Sequence, residues 1–395
     1  MIDSQNELSI KVLIRILSLI ISEENRSQYY GNKNDFNCSE IINSDIFIKN
    51  IFKHKLVSFF AKHPFLEKFQ PIYKEKILNK FNQEIRDNLL KISVIKSIDD
   101  ILEENRLKRI FFKGLPLSIQ TTGSAFLRGG SSDIDILIEE NDLNKVVNTL
   151  EKYGFYAYKK KNPQLINNKR GKYSRFISPE ISFCKVFKNS LIFLDIHWRL
   201  SWIRDGLTSF DNEIKTKSVN LSHDKTINTL KEYDSFLLSC AHSSIDGWMC
   251  LRDLIDIKRL YQLLNEEEIF KSKKHRYVRW SLLIVDKLFD KKKILDNKNK
   301  NYFNQFFINH ATYNQTMPWR HLNSKYWNMK DKIIQFLRIF FITKLFKDKL
   351  SITSGLILPD RNLIKSNGEF NNILDLITLR IIQFSKRIKE RYFLK

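Results

Sequence analysis

The apolar positions of the chain follow two rhythms. From the N-terminus to about residue 105 they recur at mixed three- and four-residue spacing, notably over Ile51–Ala61 and Ile77–Ile101, which predicts helices. Ser9–Ile21 is apolar but carries Lys11 and Arg15 and is preceded by Asp3 and Glu7, so it reads as an amphipathic core helix and not a leader. Asn25–Ser44 reads as a mostly polar loop. From residue 107 the rhythm shortens. Arg109–Phe112, Asp133–Ile138, Phe155–Lys159, Ile181–Phe187 and Leu191–His197 predict strands, the last two joined through Asn189-Ser190 as an antiparallel hairpin. Between them, Leu115–Thr122 predicts a short helix and Gly123–Ser132 a turn-rich segment. Asp142 is placed to cap a helix over Leu143–Tyr153 that Gly154 stops.

Beyond about residue 222 helical spacing returns, with Gly247 dividing Glu232–Ser244 from Trp248–Leu264. The last third reads as helical and basic, with a loop around Leu356–Arg361. The expected fold class is therefore α+β: a small mixed-sheet domain over 106–221, flanked by an N-terminal helical region at 1–105, a helical substrate-side domain at 222–290 and a basic helical region at 291–395. The second greasy stretch, Ile333–Phe346, contains Arg338 and Lys344 and is too short to span ~30 Å of hydrocarbon, so no transmembrane segment is expected.

Composition changes this picture little. The chain has 395 residues, with 67 Lys and Arg against 44 Asp and Glu, a net charge of +23. That charge fits a polyanionic partner, yet Lys, Asn, Ile and Phe are abundant throughout, as translation of an A/T-rich genome would give; nucleic acid stays open but is not favoured. Cys38, Cys184, Cys240 and Cys250 form no CxxC pair and have no His at ligand spacing. They read as buried free thiols of a cytoplasmic protein.

The candidate chemistry lies on the strands. Alternate residues of a strand share a face, so Asp133 and Asp135 point one way while Ile134, Ile136 and Ile138 line the other. Two neighbouring carboxylates repel unless a cation lies between them, which suits Mg²⁺ or Mn²⁺. Asp195 and His197 share a face of another strand, and a carboxylate amid apolar residues needs a partner that a shared metal would supply. A solvated turn for the first pair, and an ion pair with Arg199 for Asp195, are the plainer alternatives. Lys113-Gly114, where a strand runs into a helix, offers backbone N–H groups and a point charge to phosphate.

The run Lys113-Gly114, Arg128, Asp133-Ile-Asp-Ile-Leu-Ile138, Asp142-Leu143, Gly154-Phe155 and Leu194-Asp-Ile-His-Trp-Arg-Leu200 resembles the uncharacterised nucleotidyltransferases of the DNA-polymerase-β-like superfamily. The likeness is good over about 105–265 and fades on both sides. It implies that Asp133, Asp135 and Asp195 bind two metal ions, and that a nucleoside triphosphate gives its NMP group to an acceptor hydroxyl with loss of pyrophosphate. The phosphate turn it implies is either Lys113-Gly114 or Gly123-Ser124; the strand leading into Gly114 favours the former. Arg128 and His197 complete the implied nucleotide-side residues, His197 orienting Asp195 or packing as a strand histidine. The acceptor is open among small molecules, peptides, proteins and RNA ends.

Other readings compete. A metal-dependent glycosyltransferase also uses Asp-x-Asp but does not require the later Asp-Ile-His-Trp. A non-catalytic nucleic-acid binder would use the charge alone. Arg252 and Asp256, four apart, predict an intrahelical ion pair, against a role with His242 in closing over nucleotide or acceptor. Trp248 reads as core. The basic loop Lys161–Arg175 and the basic amphipathic stretch Leu374–Arg391 read as a solvated loop and a packed helix before any anion or membrane contact.

Overall fold

The computed structural model describes residues 2–23, 39–130, 132–158, 175–176, 178–207, 210, 214–289, 309–311, 329–346 and 348–349. Most of the basic loop and all of 351–395, with the expected loop at 356–361 and the stretch 374–391, lie outside them, as do Cys38 and Ser131.

The N-terminal region is helical as its spacing predicts: α1 (Ile2–Glu23), α2 (Ser39–Ile42), α3 (Asp45–Lys53), α4 (Val57–Ala61) and the long α5 (Pro71–Glu104). Helix α1 buries Leu13, Ile16, Leu17 and Ile20 while Lys11 and Arg15 stay outside, so its two charges mark the solvent face. Helix α5 begins with Pro71, whose ring presets the helical φ where no N–H partner is needed. Its first half packs Ile77 and Phe81 into one hydrophobic core, and its second half packs Ile95, Ile98 and Leu102 into another.

The sheet follows: β1 (Ile110–Phe112), α6 (Gly114–Thr122), β2 (Asp133–Leu137), α7 (Leu143–Lys152), β3 (Tyr156–Ala157), β4 (Glu180–Phe187) and β5 (Ser190–His197). Its order is β1-β2-β5-β4-β3, with β2 and β5 parallel and the other pairs antiparallel. One face buries Ile134, Ile136, Ile181, Phe183, Leu194 and Ile196 against α5 and α7. The β4–β5 turn is Lys188-Asn189, one residue earlier than expected; both have positive φ (46° and 63°), the geometry that matches strand twist in a two-residue hairpin.

A second hairpin, β6 (Thr216–Ser222) and β7 (Lys225–Leu230), departs from the expected return to helices at 222. Val219, Leu221 and Ile227 alternate with polar residues and cover the core beneath α5, and Lys225 ties the hairpin to Asp99 at 2.6 Å. The expected boundary at 221/222 thus falls inside this hairpin. Helices then return: α8 (Glu232–Asp246), α9 (Leu251–Leu263), α10 (Glu266–Ser272), α11 (Arg276–Phe289) and α12 (Met329–Ile342). Trp248 is core, as read, its Nε1 donating to Ser281 Oγ at 2.9 Å. Among the described residues no helix is long and apolar enough to cross a membrane. Cys184 and Cys240 are buried free thiols, and Cys250 is a half-buried one.

The C-terminal end of α8 is closed from a distance. Gly247 takes the left-handed conformation (φ 77°), and a Cβ there would stand 2.6 Å from Arg338 Nη1. The buried Arg338 donates from Nε to Ser244 O and from Nη2 to Ile245 O, both at 2.8 Å, strengthening the end of the helix where Ser244 O otherwise takes only the long 3.4 Å bond from Gly247 N–H. Replacing Arg338 by Met should therefore lower stability by about 2–4 kcal/mol, read from urea denaturation; an unchanged midpoint would contradict this role.

Candidate active site

Strand register decides which side chains meet. In the parallel β2–β5 ladder Asp135 stands beside Asp195 and Leu137 beside His197, and in the antiparallel β4–β5 ladder Ser182 stands beside Asp195 and Glu180 beside His197. Directly paired residues share a face, so Asp133, Asp135, Asp195, His197, Glu180 and Ser182 all face away from the α5–α7 side. The alternation read from the sequence thus sets the three expected carboxylates on one face of the sheet, Asp135 directly beside Asp195. Glu180 is a fourth. The polar Glu180 and Ser182 alternate with Ile181 and Phe183, a signal lost by starting that strand at Ile181.

Lys113 and Gly114 stand where β1 runs into α6. Lys113 has φ 55° and ψ −151°, outside the regions that residues with a side chain favour, and this turn delivers its ammonium to Asp135 Oδ1 at 2.8 Å. The same oxygen takes a hydrogen bond of 2.9 Å from His197 Nε2, which also lies 3.3 Å from Glu180 Oε2. The imidazole, wedged edge-on against Phe112 with centroids 4.8 Å apart, therefore steadies Asp135 and not Asp195. Cross-strand reach explains the difference: the His197 ring extends over the neighbouring strand, where Asp135 lies.

Charge balance differs sharply between the paired acids. Burial opposes ionisation of Asp135, but the Lys113 ammonium and the His197 hydrogen bond outweigh it and hold the carboxyl well below the usual range. Asp195 is pushed up to about 6 by burial, resisted by the Ser182 hydroxyl and reinforced by Glu180, Asp135 and Asp133. That face carries more negative charge than Lys113 neutralises.

The opposite wall comes from the helices. Arg128 donates from Nε to Asp256 Oδ2 at 2.7 Å, and Arg252 pairs with Asp253 at 2.6 Å while its Nη1 donates to the carbonyls of Gly129 and Gly130 at 3.0 and 2.9 Å. The expected Arg252–Asp256 pair is thus replaced: Asp256 takes Arg128, because the turn before β2 lies across α9. Between the walls is a cavity of about 330 Å³, lined among others by Lys113, Gly114, Arg128, Asp133, Asp135, Asp195 and His197. His242, Arg252 and Asp256 line it too. Gly123 and Ser124 are not in its lining; Gly123 ends α6 at the far end from Gly114, and the Ser124 carbonyl accepts from Ser118 and Thr122 hydroxyls. Lys55, from the turn after α3, also lines the cavity, and no sequence motif marks it.

Among the described residues, no group of three or more His, Cys, Asp or Glu side chains is gathered as a metal cluster. The geometry instead has Lys113 on the inner oxygen of Asp135.

A mixed sheet with carboxylates side by side on parallel strands, next to a strand–Gly–helix turn in a shared cleft, is the architecture of a nucleotidyltransferase domain. The chain belongs to the family described as uncharacterised nucleotidyltransferase, which matches residues 42–282, more than half of its length. The match reaches well into the N-terminal helices, beyond the stretch from about 105 in which the motifs are legible. No curated protein gives a significant match to the sequence.

The buried Arg128–Asp256 pair is directly testable. Asp256→Ala should cost about 3 kcal/mol by leaving the guanidinium with only its longer, 3.5 Å contact to Asp253, and adding Arg128→Met should return at least about 1 kcal/mol of it in a denaturation cycle. Strictly additive losses would mean that the two do not act as a pair.

Proposed function

We propose that the chain transfers an NMP group from a nucleoside triphosphate to an acceptor hydroxyl, releasing pyrophosphate. The observation that carries this reading is the register that sets Asp135 beside Asp195 in the cavity that Lys113 and Gly114 also line. In the reaction an acceptor oxygen bonds to the α-phosphorus, the bond from that phosphorus to the pyrophosphate oxygen breaks, and the hydroxyl proton is lost.

Asp133, Asp135 and Asp195 supply hard oxygen donors, and Asp195, raised first by burial and further by Glu180, Asp135 and Asp133, stands among acids; this donor set suits Mg²⁺ or Mn²⁺. Divalent ions held there would neutralise the triphosphate and favour the acceptor alkoxide. Lys113 is then the group to exchange its hold on Asp135 for a phosphoryl oxygen. His197 keeps Asp135 oriented as that exchange takes place, and Ser182 does the same for Asp195. The N–H groups at the start of α6, beginning with Gly114, face the phosphates. Arg128 fixes the turn before Asp133 from its place on Asp256. The cytoplasm, where nucleoside triphosphates are plentiful, is the compartment that suits this chemistry and the free thiols.

The test is incubation with α-labelled nucleoside triphosphates, Mg²⁺ or Mn²⁺ and cell extract. Wild type should label an acceptor and release pyrophosphate, whereas Asp133→Asn, Asp135→Asn and Asp195→Asn should each lose about 10²-fold or more in rate. Labelling that survives Asp135→Asn, or sugar transfer from a nucleotide sugar without pyrophosphate, would refute the assignment.

A further inference from the structure

We infer that Lys55, supplied by the N-terminal helical region, binds the triphosphate of the nucleotide; this deepens the transfer reading above and rests on it. Lys55 follows the C-cap of α3 and sits at φ 56°, in the left-handed region that a residue with a side chain adopts only when its surroundings enforce it. Its N–H donates to Phe52 O at 3.1 Å, and Leu56 N–H donates to Ile51 O at 3.0 Å, so the turn is held on both sides.

The side chain is held as firmly. A Cβ on Gly130 would stand 2.9 Å from Lys55 Cδ and 3.0 Å from its Cβ and Cγ, so only a glycine there lets the lysine stem lie along the Gly129-Gly130 turn. Arg252 grips that turn through both carbonyls, and three residues later it delivers Asp133. Lys55 is thereby fixed to the segment that places the first carboxylate, though it comes from a part of the chain nearly eighty residues away.

Its charge is what sets it apart. Three other permanent cations line the cavity, and each is engaged: Lys113 with Asp135, Arg128 with Asp256, Arg252 with Asp253. Lys55 makes no ion pair among the described residues, and its side chain is only half exposed. Its field reaches Asp253, where burial opposes ionisation but Arg252, Arg128 and Lys55 hold the carboxyl low. A partly buried ammonium whose carboxylate is engaged by other cations keeps hydrogen-bonding capacity for a ligand. In a cleft that also offers Gly114 and the carboxylates, the fitting ligand is a phosphoryl oxygen, for which lysine is a compact point charge.

Calorimetric titration with Mg²⁺–tripolyphosphate, and with the Mg²⁺ complexes of ATP, GTP, CTP and UTP in turn, tests this. Lys55→Met keeps the stem that packs on Gly130 and removes only the charge, and thermal melting beside it reports whether the fold is kept. Lys55→Met should weaken tripolyphosphate and the preferred triphosphate by about tenfold or more, leave the matching nucleoside monophosphate unchanged, and be largely rescued by Lys55→Arg. Equal triphosphate affinity in wild type and Lys55→Met overturns the inference. So does loss of transfer with triphosphate affinity intact, which would give the charge to the acceptor. A wild type that binds tripolyphosphate through Lys55 but no nucleoside triphosphate sinks the transfer reading and leaves the anion site standing; binding of neither sinks both.

Discussion

Pairing β2 with β5 in parallel, at a register that sets Asp135 beside Asp195, forces two carboxylates against each other in a position mostly closed to water. Such neighbours are tolerated only with positive charge close by. The fold meets this demand at one point, the turn between β1 and α6, where an unfavourable backbone conformation at Lys113 carries an ammonium to the deeper acid. The other acid is pushed toward protonation by burial first and by its acidic neighbours after that. The asymmetry is physical: among the described residues Asp135 has an ammonium as counter-ion, whereas Asp195 has the Ser182 hydroxyl.

The far wall is organised by a second charge cluster with a different purpose. Arg128 and Asp256, with Arg252 and Asp253, sit mostly away from solvent and are linked into one cluster, since Arg128 Nη2 also lies 3.5 Å from Asp253. Paired charges of this kind add little net stability against a well-packed apolar alternative, but breaking one partner is expensive. Their effect is positional. By holding the Gly129 and Gly130 carbonyls, Arg252 fixes the path of the chain into β2, and Arg128 binds the same segment to α9. The sheet and the helical layer are therefore joined at the place where the cleft opens.

The sequence made the sheet legible because half-buried strands write their faces into alternation. Asp133, Asp135, Asp195 and His197 could be assigned to one side from that pattern, and Lys113-Gly114 to a strand end. Strand order and register were not so written; they depend on which strands pair, and they decide that His197 meets Asp135 instead of the acid two residues before it. The β6–β7 hairpin is harder to read although Val219 and Leu221 alternate with polar residues, because Ser, Thr, Lys and Asn fill most of its positions and few apolar ones mark the face. Asp256 was assigned to its own helix by a four-residue spacing, whereas the tertiary contact with Arg128 prevails. Lys55 carries no local signal, since its meaning lies in Gly130, far downstream in the chain.

The long helix α5 has a further consequence. One half of it belongs to the core under the N-terminal and C-terminal helices, the other to the core under the sheet. A fragment cut at residue 106 to isolate the sheet would strip Ile95, Ile98 and Leu102 from the apolar underside of the strands and expose it to water. The region that holds the motifs is thus not a detachable module: the two cores are melted or kept together, through one continuous rod of backbone.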